Sequence, residues 1–180
     1  PQGDEIVIDL DPGAAFGTGA HATTAMCLRW LEHIVCPQMR VYDVGCGSGI
    51  LAIAASKLGA GEVIAMDYDP VAVSVAEENV RANNVTNVAV FESDLLSICA
   101  GTEPAELITA NIIADIIIRL FDQLDRHLAP GGILLASGII DDRIVDVERA
   151  ATEHGYTVLD MTCEKEWAAM IIRRSSELEL

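Results

Sequence analysis

Lysine is nearly missing from this chain. Only Lys57 and Lys165 occur in 180 residues, and the basic total of 11 faces 28 acidic residues, for a net charge of -17. A chain so poor in cations lacks the basic surface that nucleic acid phosphates and anionic membranes require. Both are therefore excluded as direct partners, and a basic partner is favoured alongside the simpler reading of a solvated acidic surface. Cysteine is sparse and unpaired in pattern. Cys27, Cys36, Cys46, Cys99 and Cys163 are odd in number, scattered, and form no Cys-x-x-Cys. That excludes a disulfide framework and reads as reduced, mostly buried thiols in a cytoplasmic protein. The four histidines (His21, His33, His127, His154) do not cluster, so no zinc site is expected. No apolar run reaches the ~18 residues of a membrane span, and no signal peptide is recognisable. At 51% hydrophobic and 22% charged, the composition excludes disorder, and the length suits one domain.

What is present is an alternation of strands and helices. A helix is expected over Ala22–Val35, then strands at Val41–Gly45, Glu62–Asp67, Val88–Phe91, Glu106–Ala110 and Ile133–Ser137. Between them fall helices at Ile50–Leu58, Pro70–Asn83 (Pro in the first turn, where its missing N–H costs nothing) and Ile113–His127. Pro130-Gly131-Gly132 reads as a turn. A polar helix follows over Asp141–His154, and strands at Tyr156–Cys163 and Glu166–Arg173 are close enough for a hairpin. Strand alternating with helix gives an α/β fold, a mostly parallel sheet covered on both faces, with the hairpin adding an antiparallel strand. Ligands of such sheets bind at the carboxyl ends of the strands, where strand order reverses.

The loop after the first strand reads DVGCGSG, with glycines at 45, 47 and 49. Such a loop permits close approach of backbone to a ligand and presents a helix N-terminus to it. Ile50 stands where a dinucleotide fingerprint needs its third glycine, which counts against a nicotinamide dehydrogenase; separately, the Gly-Lys-Ser/Thr of a phosphate loop is absent. Asp67 ends the second strand 22 residues after Gly45, where a carboxylate can accept both hydroxyl hydrogens of a ribose. Asp69 is better placed than Asp67 to cap the helix after Pro70. Asp94, in ESDLL, can accept from an adenine amino group or simply be solvated.

Together DVGCGSGILAIAA, AMDYDP and ESDLL resemble the class I S-adenosylmethionine-dependent methyltransferases. LDPGAAFGTGAHATTAMCLRWLE, TANIIAD, PGGILLASGII and KEWAAMIIRR narrow the resemblance to the bacterial family that methylates large-subunit ribosomal protein eleven. The resemblance implies a Rossmann-like sheet of seven strands, the last but one in sequence at the edge and the last inserted antiparallel. It implies S-adenosylmethionine as donor and protein amines as acceptors: lysine side chains and an N-terminal α-amine of a basic ribosomal protein. It puts Thr24, Gly45, Asp67 and Asn111 at the cofactor, and lays the loop Phe16-Gly17-Thr18-Gly19 over its methionine end. The family carries an N-terminal docking domain, so residues 1–180 read as the catalytic domain alone. The sequence departs from the family at Ala22, where Pro is commoner, and at Ala114-Asp115, which adds a charge near the expected acceptor entrance.

Methyl transfer from a sulfonium needs no metal and no covalent nucleophile; alignment alone can supply roughly 7–11 kcal/mol at the limit. The attacking amine must be neutral, whereas free lysine, with a pKa of about 10.4, is protonated at neutral pH. Asn111, after the fourth strand, can accept a hydrogen bond from the amine, though it also suits a helix cap. Thr18, Thr23 and Thr24 can donate to a cofactor carboxylate or cap the first helix. His21 invites a general-base reading, but a histidine opening a helix is more often structural. Phe16 can stack on a ligand or anchor its loop, and that glycine-bounded loop reads as a lid. Trp30 and Trp167 read as core. The competing functions are a methyltransferase for another protein or a small amine, and a cofactor-binding module that no longer catalyses.

Overall fold

The computed structural model describes residues 5–10 and 21–177. Seven strands form one sheet in the order β3-β2-β1-β4-β5-β7-β6. They are β1 Arg40–Val44, β2 Glu62–Asp67, β3 Val88–Glu92, β4 Ala105–Asn111, β5 Leu128–Ile140, β6 Tyr156–Glu164 and β7 Trp167–Arg174. The first five run parallel; β7 is antiparallel to both β5 and β6, so the last strand is inserted and β6 forms the edge. Among the described residues α1 Ala22–Ile34 precedes the sheet, and four further α-helices lie between strands: α2 Ile50–Lys57, α3 Pro70–Ala82, α4 Ala114–His127 and α5 Ile144–Glu153.

The two-residue period of the strands sorts the core into two layers. Tyr42, Val44, Ile108 and Ala110 point to the face covered by α4 and α5, where Ile117, Leu120, Phe121 and Val147 pack. Val41 and Leu107 point to the other face, against α2, α3 and Cys27 and Leu31 of α1. Each fully buried leucine or isoleucine contributes about 1.5–3 kcal/mol to this packing. Trp30 is only half-buried, and its Nε1 donates to Thr162 Oγ1 at 3.2 Å, tying α1 to β6. Trp167 is also half-buried rather than core.

Three local expectations are corrected. Pro130–Gly132 is not a turn ahead of the fifth strand: β5 already starts at Leu128 and runs through it, and the extra residues are absorbed where pairing shifts between Ala105↔Leu128 and Leu107↔Ile133. The last helix opens as a 3₁₀ turn over Asp141–Arg143 before α5 proper. The N-cap of α1 is His21, not a threonine: its ring accepts from Thr23 N at 3.4 Å and pairs with Thr23 Oγ1 at 2.9 Å.

Candidate active site

Strand order reverses at β1, which lies between β2 and β4. The carboxyl ends of these three strands therefore open a crevice. A cleft of about 540 Å³ occupies it, within the usual range of a small-molecule site. The glycine loop forms its floor. Gly45 N and Cys46 N donate to Met66 O at 2.8 and 3.0 Å, which ties the loop to β2. From the far side, Asn79 of α3 donates through Nδ2 to Ser48 O at 2.9 Å. Gly45, Gly47 and Gly49 all have positive φ, a conformation that side chains disfavour.

Asp67 lies at the end of β2 as the sequence indicates. Its Oδ2 accepts from Gly47 N at 2.9 Å and its Oδ1 from Asp69 N at 3.0 Å. Each carboxylate oxygen keeps a further lone pair, so the group can hold the loop and still accept from a ligand diol. Asp69 caps α3 through Val71 N at 2.9 Å, as expected.

Asn111 ends β4 and lines the cleft. It does not cap the following helix, whose N-cap is Ile113. Its Nδ2 donates instead to Thr24 Oγ1 at 3.4 Å. Thr24 is buried on α1 and also lines the cleft. Because Nδ2 is engaged there, Oδ1 is the amide's acceptor for anything entering beside it.

Asp94 is on the cleft rim, 57% exposed, with Arg119 Nη2 at 3.4 Å from its carboxylate. An exposed pair of this kind holds the two side chains weakly. Gly45 and Gly47 line the cleft, while Gly49 stands behind them as the N-cap of α2. Phe16, Thr18 and Gly19 lie outside the described residues, as does the loop expected to act as a lid.

His21 is not arranged as a base. Its Nδ1 is engaged with Thr23, accepting from the backbone N at 3.4 Å and lying 2.9 Å from Oγ1, and the ring packs edge-on against Trp167 at 5.2 Å. Cys46 lines the cleft, but burial, then the charges of Asp43 and Asp67, push its thiol well above its ordinary value. It is a neutral thiol and offers no thiolate. Asp115 is exposed in the first turn of α4 and pairs with Arg143 at 2.7 Å, whose guanidinium holds its carboxyl below the ordinary value.

Sequence reasoning missed several cleft residues: Asp43, Tyr68, Leu95, Ile112 and Arg119. Asp43 is the most consequential. It is fully buried, its Oδ1 accepts from Thr109 Oγ1 at 2.6 Å, and its Oδ2 has no hydrogen-bond partner among the described residues. The pairing follows from register, since Asp43 lies opposite Thr109 in the β1–β4 ladder. Burial raises the Asp43 pKa to about 6, against the opposing pull of the Thr109 hydroxyl and the Ala52 N–H. The acid in DVGCGSG was the available signal.

Comparison with known proteins bears on the family and the fold. The family model for ribosomal protein L11 methyltransferase matches residues 1–175. The ribosomal protein L11 methyltransferase of Caldanaerobacter subterraneus subsp. tengcongensis is 54% identical over 97% of this chain, and that of Thermoanaerobacter pseudethanolicus 54% over 96%. The chain spans 55% of the length of each of these curated relatives. A crystal structure of the ribosomal protein L11 methylase of Lactobacillus delbrueckii subsp. bulgaricus superposes with a TM-score of 0.88 at 38% identity, covering 95% of this chain and 86% of that one. A T. thermophilus rRNA methyltransferase, solved with AdoMet and guanosine, reaches 0.74 at 17% identity over 89% of this chain and 45% of that chain, a likeness of fold alone. With its model matched over nearly the whole sequence, the chain belongs to the ribosomal protein L11 methyltransferase family.

Proposed function

We propose that this chain binds S-adenosylmethionine in the cleft between β1, β2 and β4 and transfers its methyl group to amines of ribosomal protein L11, at lysine side chains and the N-terminal α-amine. The observation that carries the proposal is the convergence of Asn111, Asp67 and the glycine loop on one cleft of fitting size. A basic ribosomal protein suits a surface of net charge -17, and a ribosomal substrate implies work in the cytoplasm.

The residues present fit the cofactor. At Gly45 a Cβ would strike the Ile112 side chain, so this turn must stay bare and its backbone remains open to the cleft. Asp67 would hold the ribose hydroxyls and Asp94 the adenine amino group. Thr24 stands beside Asn111 at the end where the methionine portion would lie. Asp43, buried in the cleft wall with Oδ2 unpartnered among the described residues, is a carboxylate suited to a cationic portion of the ligand. Bound there, S-adenosylmethionine supplies an activated methyl: the amine lone pair forms the N–C bond as the C–S bond breaks, sulfur keeps that electron pair, and the ammonium product loses its proton to solvent.

The chain's own contribution is alignment. Asn111 accepts an N–H of the neutral amine and aims its lone pair along the transfer line; an amide is no base, so it orients the amine without deprotonating it. Thr24 fixes the amide so that Oδ1 and not Nδ2 meets the amine. Ile112, directly after Asn111, is an apolar wall on that side of the cleft and reduces water beside the amine.

The test is calorimetry of the 180-residue chain with S-adenosylmethionine and with a nicotinamide dinucleotide, followed by mass spectrometry of L11 after incubation with the full-length enzyme, since the chain spans 55% of its relatives' length and should by itself bind the cofactor but methylate L11 poorly. Binding of the first alone, with methyl increments on L11, is the expected result; no binding, or an unmodified L11, overturns the proposal. A smaller prediction belongs with it. Asp67→Asn cannot accept from Gly47 N and a diol as the carboxylate does, so the Kd for S-adenosylmethionine should rise roughly tenfold or more, read by the same titration.

A further inference from the structure

Ile112 follows Asn111 directly and is held on three sides. Its N–H donates to Ser137 O at 3.0 Å. Its side-chain methyl Cγ2 fills the space that a Cβ on Gly45 would need. Its carbonyl oxygen lies 2.5 Å from where a Cβ on Gly138 would stand, with the Ile112 N and C atoms at 3.0 Å. Gly45 has φ +69 and Gly138 has φ +83, so both backbones are shaped for glycine. Gly45 belongs to the loop that floors the cleft. Gly138 belongs to a bulge in β5, where pairing with β7 shifts between Ser137 and Ile139. Bulges re-aim what lies beside them, and this one brings a bare backbone against the turn that leaves β4.

We propose that Ile112 is a positioning residue for transfer: wedged between the glycine sockets of Gly45 and Gly138, it sets the separation between the donor-holding loop and the acceptor-holding amide of Asn111. The proposal rests on the methyl-transfer reading of the cleft given above. The coupling is short and stiff. Asn111 is paired with Ser137 in the β4–β5 register and is one peptide bond from Ile112. A shift of the Ile112 peptide therefore turns the Asn111 backbone and swings its amide. Reacting atoms must be held near contact, and a misplacement of about 1 Å can cost on the order of 100-fold in rate.

Gly138→Ala tests one socket. Its proper comparison is Gly101→Ala, because Gly101 has φ +84 and nothing within 4 Å of a Cβ. Both substitutions strain the backbone in the same region, but only the first displaces Ile112. Ile112→Ala tests the other socket without backbone strain, and Ile112→Val keeps a methyl against Gly45. With L11 as acceptor and the substitutions made in the full-length enzyme, Gly138→Ala and Ile112→Ala should lower kcat roughly 10- to 50-fold while the cofactor Kd moves less than about threefold. Ile112→Val should recover most of that loss, and Gly101→Ala should lose stability yet keep the parental kcat.

Parental kcat in Ile112→Ala, or an equal kcat loss in Gly101→Ala and Gly138→Ala, overturns the wedge. If Gly138→Ala does not fold, the Ile112 pair decides. Asn111→Ala separates the levels. An inactive Asn111→Ala beside a fully active Ile112→Ala removes the wedge alone. A fully active Asn111→Ala, or no transfer by the full-length parent, removes the reading beneath it.

Discussion

Asn111→Ala is expected to cut methyl transfer to L11 roughly 100-fold or more while leaving the Kd for S-adenosylmethionine within about threefold. The asymmetry follows from where the side chain sits. Asn111 is half-buried at the last position of β4, lines the cleft, and spends its Nδ2 on Thr24. On the proposed reading its Oδ1 accepts from the amine, an interaction that matters most as the lone pair turns toward the methyl. An alanine leaves the acceptor free to enter in many orientations and water free to solvate the amine. Because Asn111 caps no helix, the substitution removes no helix-terminal bond, and the melting temperature should change little. Thr24→Val offers a graded version: the amide loses its partner and can flip, so kcat should fall less than for Asn111→Ala. Equal rates for parent and Asn111→Ala, measured at saturating cofactor, would return the residue to a structural role.

Local chemistry explains how much of this was legible in the sequence. Glu62–Asp67 was readable as a strand to the residue, because an apolar run ends in an acid and is followed by Asp69-Pro70, a cap and first turn. The glycine loop was readable because its conformation needs glycine wherever it occurs. Asn111 and Thr24 were both visible as cofactor-site candidates, but their bond spans 87 positions and no periodicity encodes it. The same holds for Asp43 and Thr109, 66 apart, and for Asp94 and Arg119, 25 apart; both pairs are made by strand register and helix docking. Ile112 was hidden for another reason. An isoleucine after a strand reads as core, and only the two glycines packed against it, 67 residues before and 26 after, give it a different meaning.

The second large effect concerns Asp43 and runs in opposite directions for stability and for binding. Its folded pKa, raised by burial from 3.8 to about 6, means that the native state holds a proton that the unfolded chain has already released between those values. Stability contributed by this group is therefore fully present below about pH 4, falls as pH rises to about 6, and stays lower above that. Two pH units correspond to about 3 kcal/mol. Asp43→Asn buries no charge and can still accept from Thr109. The variant should match the parent near pH 4 and exceed it by up to about 3 kcal/mol at pH 8, measured by denaturant unfolding without ligand. On the proposed reading its Kd for S-adenosylmethionine should rise roughly tenfold or more, because the cleft wall loses the carboxylate charge that attracts the cationic ligand. For the parent, the same linkage predicts that cofactor binding weakens as pH falls through about 6, where Asp43 takes up its proton, and that Asp43→Asn lacks this dependence. A variant less stable than the parent at pH 8 would mean that the carboxylate is compensated within the fold. It would then have no reason to await a cation, and the opposing trends in stability and affinity would vanish together.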